Sequence, residues 1–214
     1  MLKNPEHDTH EAAANFDHKD VEILTHKTVY QGFFKMEKLQ LKHRLFAGGW
    51  SRVCERELFV RGSAAAAVIY DPVNDLIGLI EQFRVGALTE PQGPWCLEII
   101  AGMCGENETA EEVVRRELIE EANFTPQKLI SICNYLSTPG GCDERVHLYC
   151  ALGDLSNAEG IFGLETENED IRLRTFSAQG VFDAMLKSRM NNAATLIALQ
   201  WLQLNIDSLR QTGI

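Results

Sequence analysis

The sequence predicts a mixed fold of the α/β (α+β) class that opens with an antiparallel meander. Three observations predict it. Short apolar stretches, alternating or continuous and bounded by Gly, Pro, Asn and Asp, recur from residue 21 to residue 176. Helical character is confined to residues 109–122, 181–187 and 193–209. These helices do not alternate with the strands in the regular order of a doubly wound sheet.

Residues 1–19 hold His7, His10 and His18 among Ala, Asn and Asp, without periodicity. They read as a flexible start, and the histidine spacing fits no metal site. From Asp20 the texture changes. Residues 21–24 and 28–30 read as strands, and residues 36–45 (MEKLQLKHRL) alternate as a half-buried strand does. Gly48-Gly49 signals a hairpin, and residues 50–60 are the return strand. Residues 20–62 are therefore expected to form a small sheet of their own, and residues 63–214 the main domain. Residues 63–70 (SAAAAVIY) are continuously small and apolar, which suits a buried strand. A turn at 71–75 leads to a strand at 76–83 (LIGLIEQF), and residues 95–101 (WCLEIIA) form a strand that ends at Gly102. Further strands are expected at 129–137, 146–152 and 171–176, with a glycine- and acid-rich loop over 153–170. The last helix carries Leu196, Leu199, Trp201, Leu202 and Ile206, a wide apolar stripe.

Composition narrows the function. The 214 residues carry 20 Lys and Arg against 31 Asp and Glu, a net charge of −11. A nucleic-acid binder or a basic membrane-surface protein draws its affinity from the opposite balance. A small phosphate ligand stays compatible, because carboxylates bind phosphates through metal ions. The six cysteines, at 54, 96, 104, 133, 142 and 150, make no C-x-x-C pair, and they read as reduced core filler. No secretory h-region and no run of 18 apolar residues is present, so a cytoplasmic location is expected. The glycine-rich phosphate loops G-x-x-x-x-G-K-[ST] and G-x-G-x-x-G are also missing.

Residues 102–124 (GMCGENETAEEVVRRELIEEANF) hold seven glutamates against two arginines. Thr109 and Glu112 make a capping box, early glutamates suit the helix dipole, and Asn123 suits a left-handed stop. At about 100° per residue, Glu117, Glu120 and Glu121 share an arc, while Val114, Leu118, Ile119 and Ala122 fill the adjoining face. Like charges so placed repel, and no lysine is interspersed. Bound cations would remove the repulsion, and oxygen ligands suit hard Mg²⁺ or Mn²⁺.

Gly102, Glu108, Arg116-Glu117-Leu118, Glu120-Glu121 and Phe124 stand at the spacing G-x5-E-x7-R-E-U-x-E-E-x-G-U, with U apolar. The segment resembles the Nudix box. Every fixed position agrees except the last glycine, which is Asn123, a residue that also tolerates the left-handed conformation. The resemblance implies a Nudix α/β/α sandwich of mixed sheets and hydrolysis of a diphosphate joined to another group. It implies Mg²⁺ as cofactor, with Mn²⁺ able to take its place. Glu117, Glu121 and the Ala101 carbonyl would be metal ligands, and Glu120 an auxiliary one. Arg116 would orient these groups by pairing with Glu108 or a box glutamate.

Outside the box, Pro139 lies sixteen residues past Asn123, in Thr138-Pro139-Gly140-Gly141-Cys142-Asp143-Glu144. Residues 30–34, Arg56-Glu57, Arg61-Gly62, 81–84, 165–172 and 192–204 extend the likeness, and together they resemble the ADP-ribose-hydrolysing branch of the family. The resemblance implies a substrate site of Phe33, Phe34, Arg56, Glu57, Arg61, Arg84, Met103, Thr138, Pro139, Gly140 and Glu144. Phe33 would stack on adenine, from its own or the partner subunit. Arg56 and Arg84 would contact phosphate or ribose, and Glu144 would accept from ribose hydroxyls or order a water. It also implies a homodimer with exchanged N-terminal strands. The loop 164–170 (LETENED) can bring a carboxylate to the attacking water. Spacing does not choose among Glu165, Glu167 and Glu169; the resemblance makes Glu167 the base and Glu169 a metal ligand. ADP-ribose is the expected substrate. Another nucleoside diphosphate sugar, such as a GDP-sugar, and a sensor that binds without cleaving are the alternatives.

Overall fold

The structure, a computed structural model, describes residues 13–164, 166 and 168–212. It divides into two compact units, Met1–Val60 and Arg61–Ile214. His7 and His10 lie outside the described residues. His18 lies in a 3-10 turn, His18–Asp20, closed by a capping box between Asp17 and Asp20.

In the first unit, β1 (Val21–Gln31), β2 (Lys35–His43) and β3 (Cys54–Val60) form a three-stranded antiparallel meander. β1 runs unbroken where the sequence suggests two short strands. Register shifts at Ile23/Thr25 and Thr28/Tyr30 carry it past residues 25–27. Nearly all of β1 is exposed. Among the described residues neither face of it is covered, so no clean alternation marks its length. Arg44 bridges to Trp50 across the hairpin and lays its guanidinium over the indole at 4.4 Å.

The second unit holds β4 (Ser63–Asp71), β5 (Leu76–Phe83), β6 (Trp95–Glu98), β7 (Ile100–Met103), α1 (Ala110–Ala122), β8 (Lys128–Leu136), β9 (Arg145–Leu152), β10 (Gly160–Phe162), β11 (Ile171–Ser177), α2 (Ala178–Leu186) and α3 (Ala193–Arg210). Its sheet runs β10-β11-β5-β4-β9-β8, with β6 on β5 and β7 on β4. The β4–β9 pair is parallel and the others antiparallel, so the sheet is mixed.

β4 explains the layers. Ala66, Val68 and Tyr70 join the apolar cluster under α2 and α3, while Ala65, Ala67 and Ile69 join the cluster under α1. A strand buried on both faces reads as a continuous apolar run, which is the form of residues 63–70. Helices therefore cover both faces of the sheet, an α/β/α sandwich.

In the second unit three further elements differ from the sequence reading. The strand expected at 95–101 breaks at Ile99, because β6 pairs with β5 and β7 pairs with β4. At the change of partner the Ile99 N–H donates to Thr195 Oγ1 at 3.1 Å. β10 lies inside the expected loop 153–170, too short to show a period. α2 begins at Ala178, capped by Ser177, whose hydroxyl accepts from the Gly180 N–H. All six cysteines are free. Cys96, Cys142 and Cys150 are buried as expected, but Cys133 is exposed beside a bulge in β8, at the end of the main strand order.

The registers bring one set of strand ends together. Met103, at the end of β7, pairs with Ala64 near the start of β4, which pairs with Val146 near the start of β9. Antiparallel pairing puts the start of β11 beside the end of β5.

Candidate active site

The site is built on α1 and the strand before it. Thr109 Oγ1 accepts from the Glu112 N–H, and Glu112 accepts from the Thr109 N–H at 2.8 Å. Asn123 ends the helix at φ 46°, ψ 39°, the left-handed conformation its side chain tolerates. The helix buries Val113, Val114, Leu118 and Ala122 against the sheet. That docking turns Glu117 and Glu121 toward β7.

The Ala101 N–H donates to Glu121 Oε2 at 3.2 Å. Gly102 has no room for a side chain, since a Cβ there would lie 1.7 Å from Glu117 Oε1. This close approach is the physical reason for glycine at that position. Arg116 gathers three carboxylates. Its Nη1 donates to Glu117 Oε1 at 2.8 Å and Glu120 Oε2 at 3.0 Å, and its Nε to Glu108 Oε1 at 3.2 Å. Glu108 is steadied by the Gly105 N–H at 3.0 Å. The Gly105 N–H and Arg116 hold its carboxyl below the usual range.

Burial dominates the inner pair. It pushes Glu117 up to about 7, against the pull of Arg116 and with added repulsion from Glu120 and Glu169. Burial and the Glu117 charge push Glu121 up to about 8, against the pull of the Ala101 N–H. Glu121 is 2% exposed. A buried carboxylate backed by one amide is costly unless a cation joins it. Among the described residues no three His, Cys, Asp or Glu side chains stand as a ready-made metal cluster, and Glu117 and Glu120 are turned onto Arg116. The donor set of carboxylates beside a backbone carbonyl still fits a hard divalent cation.

Glu169 enters this field from the loop before β11. Its N–H donates to the Leu164 carbonyl at 3.2 Å, and the Leu164 N–H returns a bond to Glu169 Oε2 at 3.4 Å. Gly163 sits beside it at φ 104°, open to glycine. Glu165 and Glu167 lie outside the described residues.

The other expected residues divide by unit. Arg84, after β5, donates through Nε to Glu98 Oε2 at 2.6 Å. Its charge is felt at Glu121. Arg61 pairs with Glu144 at 2.9 Å, and Asp143 Oδ1 accepts the Arg61 N–H at 2.7 Å. The Thr138 carbonyl accepts from the Gly141 and Cys142 N–H groups, so Pro139 and Gly140 lie in a tight turn ahead of β9. Met103 is exposed at the end of β7. In the first unit Phe33 is 86% exposed and edge-on to Phe34, which meets Phe59 in turn. Arg56 and Glu57 lie on β3, and Arg56 Nη1 donates to the Glu55 carbonyl. Glu98 was not among the expected residues. Its signal is an acid inside the apolar stretch WCLEIIA.

The NUDIX domain matches residues 60–198. The chain belongs to the Nudix family. It is 42% identical over 201 residues to the ADP-ribose pyrophosphatase of Haemophilus influenzae, covering 92% of this chain and 93% of the relative. It is 28% identical over 188 residues to the GDP-mannose pyrophosphatase of Cronobacter sakazakii, covering 86% and 96%. The crystal structure of an ADP compounds hydrolase superposes with a TM-score of 0.64 at 20% identity, over 89% of this chain and 96% of that one. At that identity the likeness speaks for the fold. In this Nudix chain Gly102 stands at the box glycine and Asn123 replaces the terminal one.

Proposed function

We propose that this Nudix hydrolase splits the diphosphate of ADP-ribose with water, giving AMP and ribose 5-phosphate. The observation that carries the reading is the 42% identity to an ADP-ribose pyrophosphatase across 92% of the chain. Hydrolysis in this family depends on a divalent metal; we infer Mg²⁺, with Mn²⁺ able to replace it. Glu117, Glu121, Glu169 and the Ala101 carbonyl would hold it, with Glu120 beside them. When bound, such a cation neutralises diphosphate charge and acidifies water.

The chain's own groups do the rest. Glu167 takes the proton from the attacking water as general base. Arg116 holds Glu117 and Glu120 in place. Arg84 and Arg56 bind phosphate or ribose oxygens, Arg61 supports Glu144, and Glu144 accepts from the ribose. Met103, Thr138, Pro139 and Gly140 line the ribose side. Phe33 stacks on the adenine, and Phe34 and Glu57 belong to the same substrate site. The exposure of Val21, Ile23, Leu24, Val29, Tyr30 and Phe33 in the first unit supports a homodimer formed by exchanged N-terminal strands. No helix among the described residues is long and apolar enough to cross a membrane. We infer a cytoplasmic location from the six free cysteines.

Another nucleoside diphosphate sugar is the second reading, favoured by the match to a GDP-mannose pyrophosphatase. A non-cleaving sensor is disfavoured, since Glu117, Glu120 and Glu121 are all present. A panel of ADP-ribose, ADP-mannose, GDP-mannose, NADH and diadenosine polyphosphates at fixed Mg²⁺ tests the proposal. ADP-ribose is expected to lead in kcat/KM by about tenfold or more and to yield AMP. A leading guanine substrate would overturn it in favour of the second reading.

A further inference from the structure

The chain spends a nearly buried carboxylate on one arginine at the edge of the site. Glu98 closes β6, and its side chain is 12% exposed. Ile80 pairs with Glu98 and Gln82 with Cys96 in the β5–β6 ladder. Paired residues share a face, and Ile80 belongs to the cluster under α1. Glu98 therefore lies on the α1 side, the side of the box glutamates. Arg84 continues the same face two residues past Gln82, and its N–H bonds to the Pro94 carbonyl at 2.8 Å, one step beyond the last strand pair. The β11–β5 pairing reaches Arg172 and Glu81, so the loop that carries Glu169 and the end of β5 that leads to Arg84 lie at the same end of the sheet.

We propose that Glu98 is a positioning residue: it grips Arg84 by Nε and leaves the two terminal amino groups of the guanidinium for the substrate diphosphate. The inference rests on the reading of this site as one for a nucleoside diphosphate sugar. Three features carry it. Among the described residues Arg84 bonds Glu98 through Nε, at 2.6 Å, which fixes the guanidinium plane without consuming the Nη pair. That pair is the fork that meets phosphate oxygens two at a time. Glu98 is an acid between Cys96-Leu97 and Ile99-Ile100, where burying a carboxylate costs desolvation that stability alone does not recover. Finally, the β5–β6 register sets Glu98 and Arg84 together on the face of the sheet that α1 covers.

The test is a kinetic cycle on the full-length, Mg²⁺-loaded enzyme with Glu98→Gln, Arg84→Ala and the double variant. Glu98→Gln is expected to raise KM for ADP-ribose by about tenfold and to leave kcat within about threefold. In the Arg84→Ala background the same change is expected to move KM by less than about twofold, because Glu98 acts through Arg84. Glu98→Asp keeps the charge but shortens the reach; it gives a second, milder KM rise that also vanishes with Arg84→Ala. An unchanged KM with a lowered Tm in Glu98→Gln overturns the proposal and leaves the pair a tie between strands. An equal KM rise in both backgrounds overturns it as well. Should the wild type fail on ADP-ribose, the functional reading falls by itself. The cycle then runs on whichever nucleoside diphosphate sugar the enzyme cleaves, and missing coupling there sinks the positioning role.

Discussion

Glu111 and Arg115 on one side of α1, and Arg116 and Glu120 on the other, are the same residue types at the same i,i+4 spacing. Arg115 meets Glu111 at 2.8 Å and Arg116 meets Glu120 at 3.0 Å. The first pair faces solvent. The second is joined by Glu108 and by Glu117, whose neighbour Glu121 is buried against β7. The same two residue types, with acid and base in opposite order along the helix, thus give a solvent-facing pair in one case and a charged site in the other. What differs is the strand behind the helix: Ala101 offers an N–H, and Gly102 offers the space.

The comparison breaks most sharply at Glu117. Glu117→Gln is expected to lower kcat by about two to three orders of magnitude, and Glu111→Gln to leave it within about twofold. Equal activities in steady-state assays would erase the distinction between the two sides. Glu167→Gln is next, with a loss of about 10²-fold or more in kcat if it is the general base. Unchanged turnover would return the choice to Glu165 and Glu169. Gly102→Ala comes third. A Cβ at 1.7 Å from the Glu117 carboxylate displaces it, so activity falls and thermal unfolding registers about 1–3 kcal/mol of lost stability. An active, stable Gly102→Ala protein would show that the close approach is dispensable.

A pH series sharpens the same contrast. Glu117 and Glu121 titrate near 7 and 8 in the folded chain, above their unfolded value of 4.5. The folded state therefore holds more protons than the unfolded one between 4.5 and about 8. In metal-free protein these two groups make stability fall as pH rises through that window. A divalent cation held by these carboxylates, as proposed above, would have to displace those protons, so Mg²⁺ binding is expected to tighten with pH and to release protons. Calorimetry at pH 6.5 in two buffers of different ionisation enthalpy should show this release, and identical heats would contradict it. The smallest effect belongs to the outer face. Arg115→Ala is expected to change stability by less than about 0.5 kcal/mol, read by chemical denaturation.

Local chemistry was legible wherever neighbours in sequence satisfy one another. The capping box at Thr109 and Glu112, the left-handed stop at Asn123 and the doubly buried run of β4 each stood in a few consecutive residues. The break at Ile99 did not, because it follows from two strands competing for one chain. The length of β1 escaped too, because its signal would need a covered face.

The amino-acid sequence by itself determined the box, its spacing and thus the family, since a helix places carboxylates by residue count alone. It also determined that the acids outnumber the bases on that helix. Only the tertiary structure decided which acids are buried, that Arg116 spans three of them, and that Glu98 holds Arg84 from a neighbouring strand. Those facts depend on burial and on partners far apart in the chain. Desolvation and cross-strand contact exist only once the strands and α1 have packed.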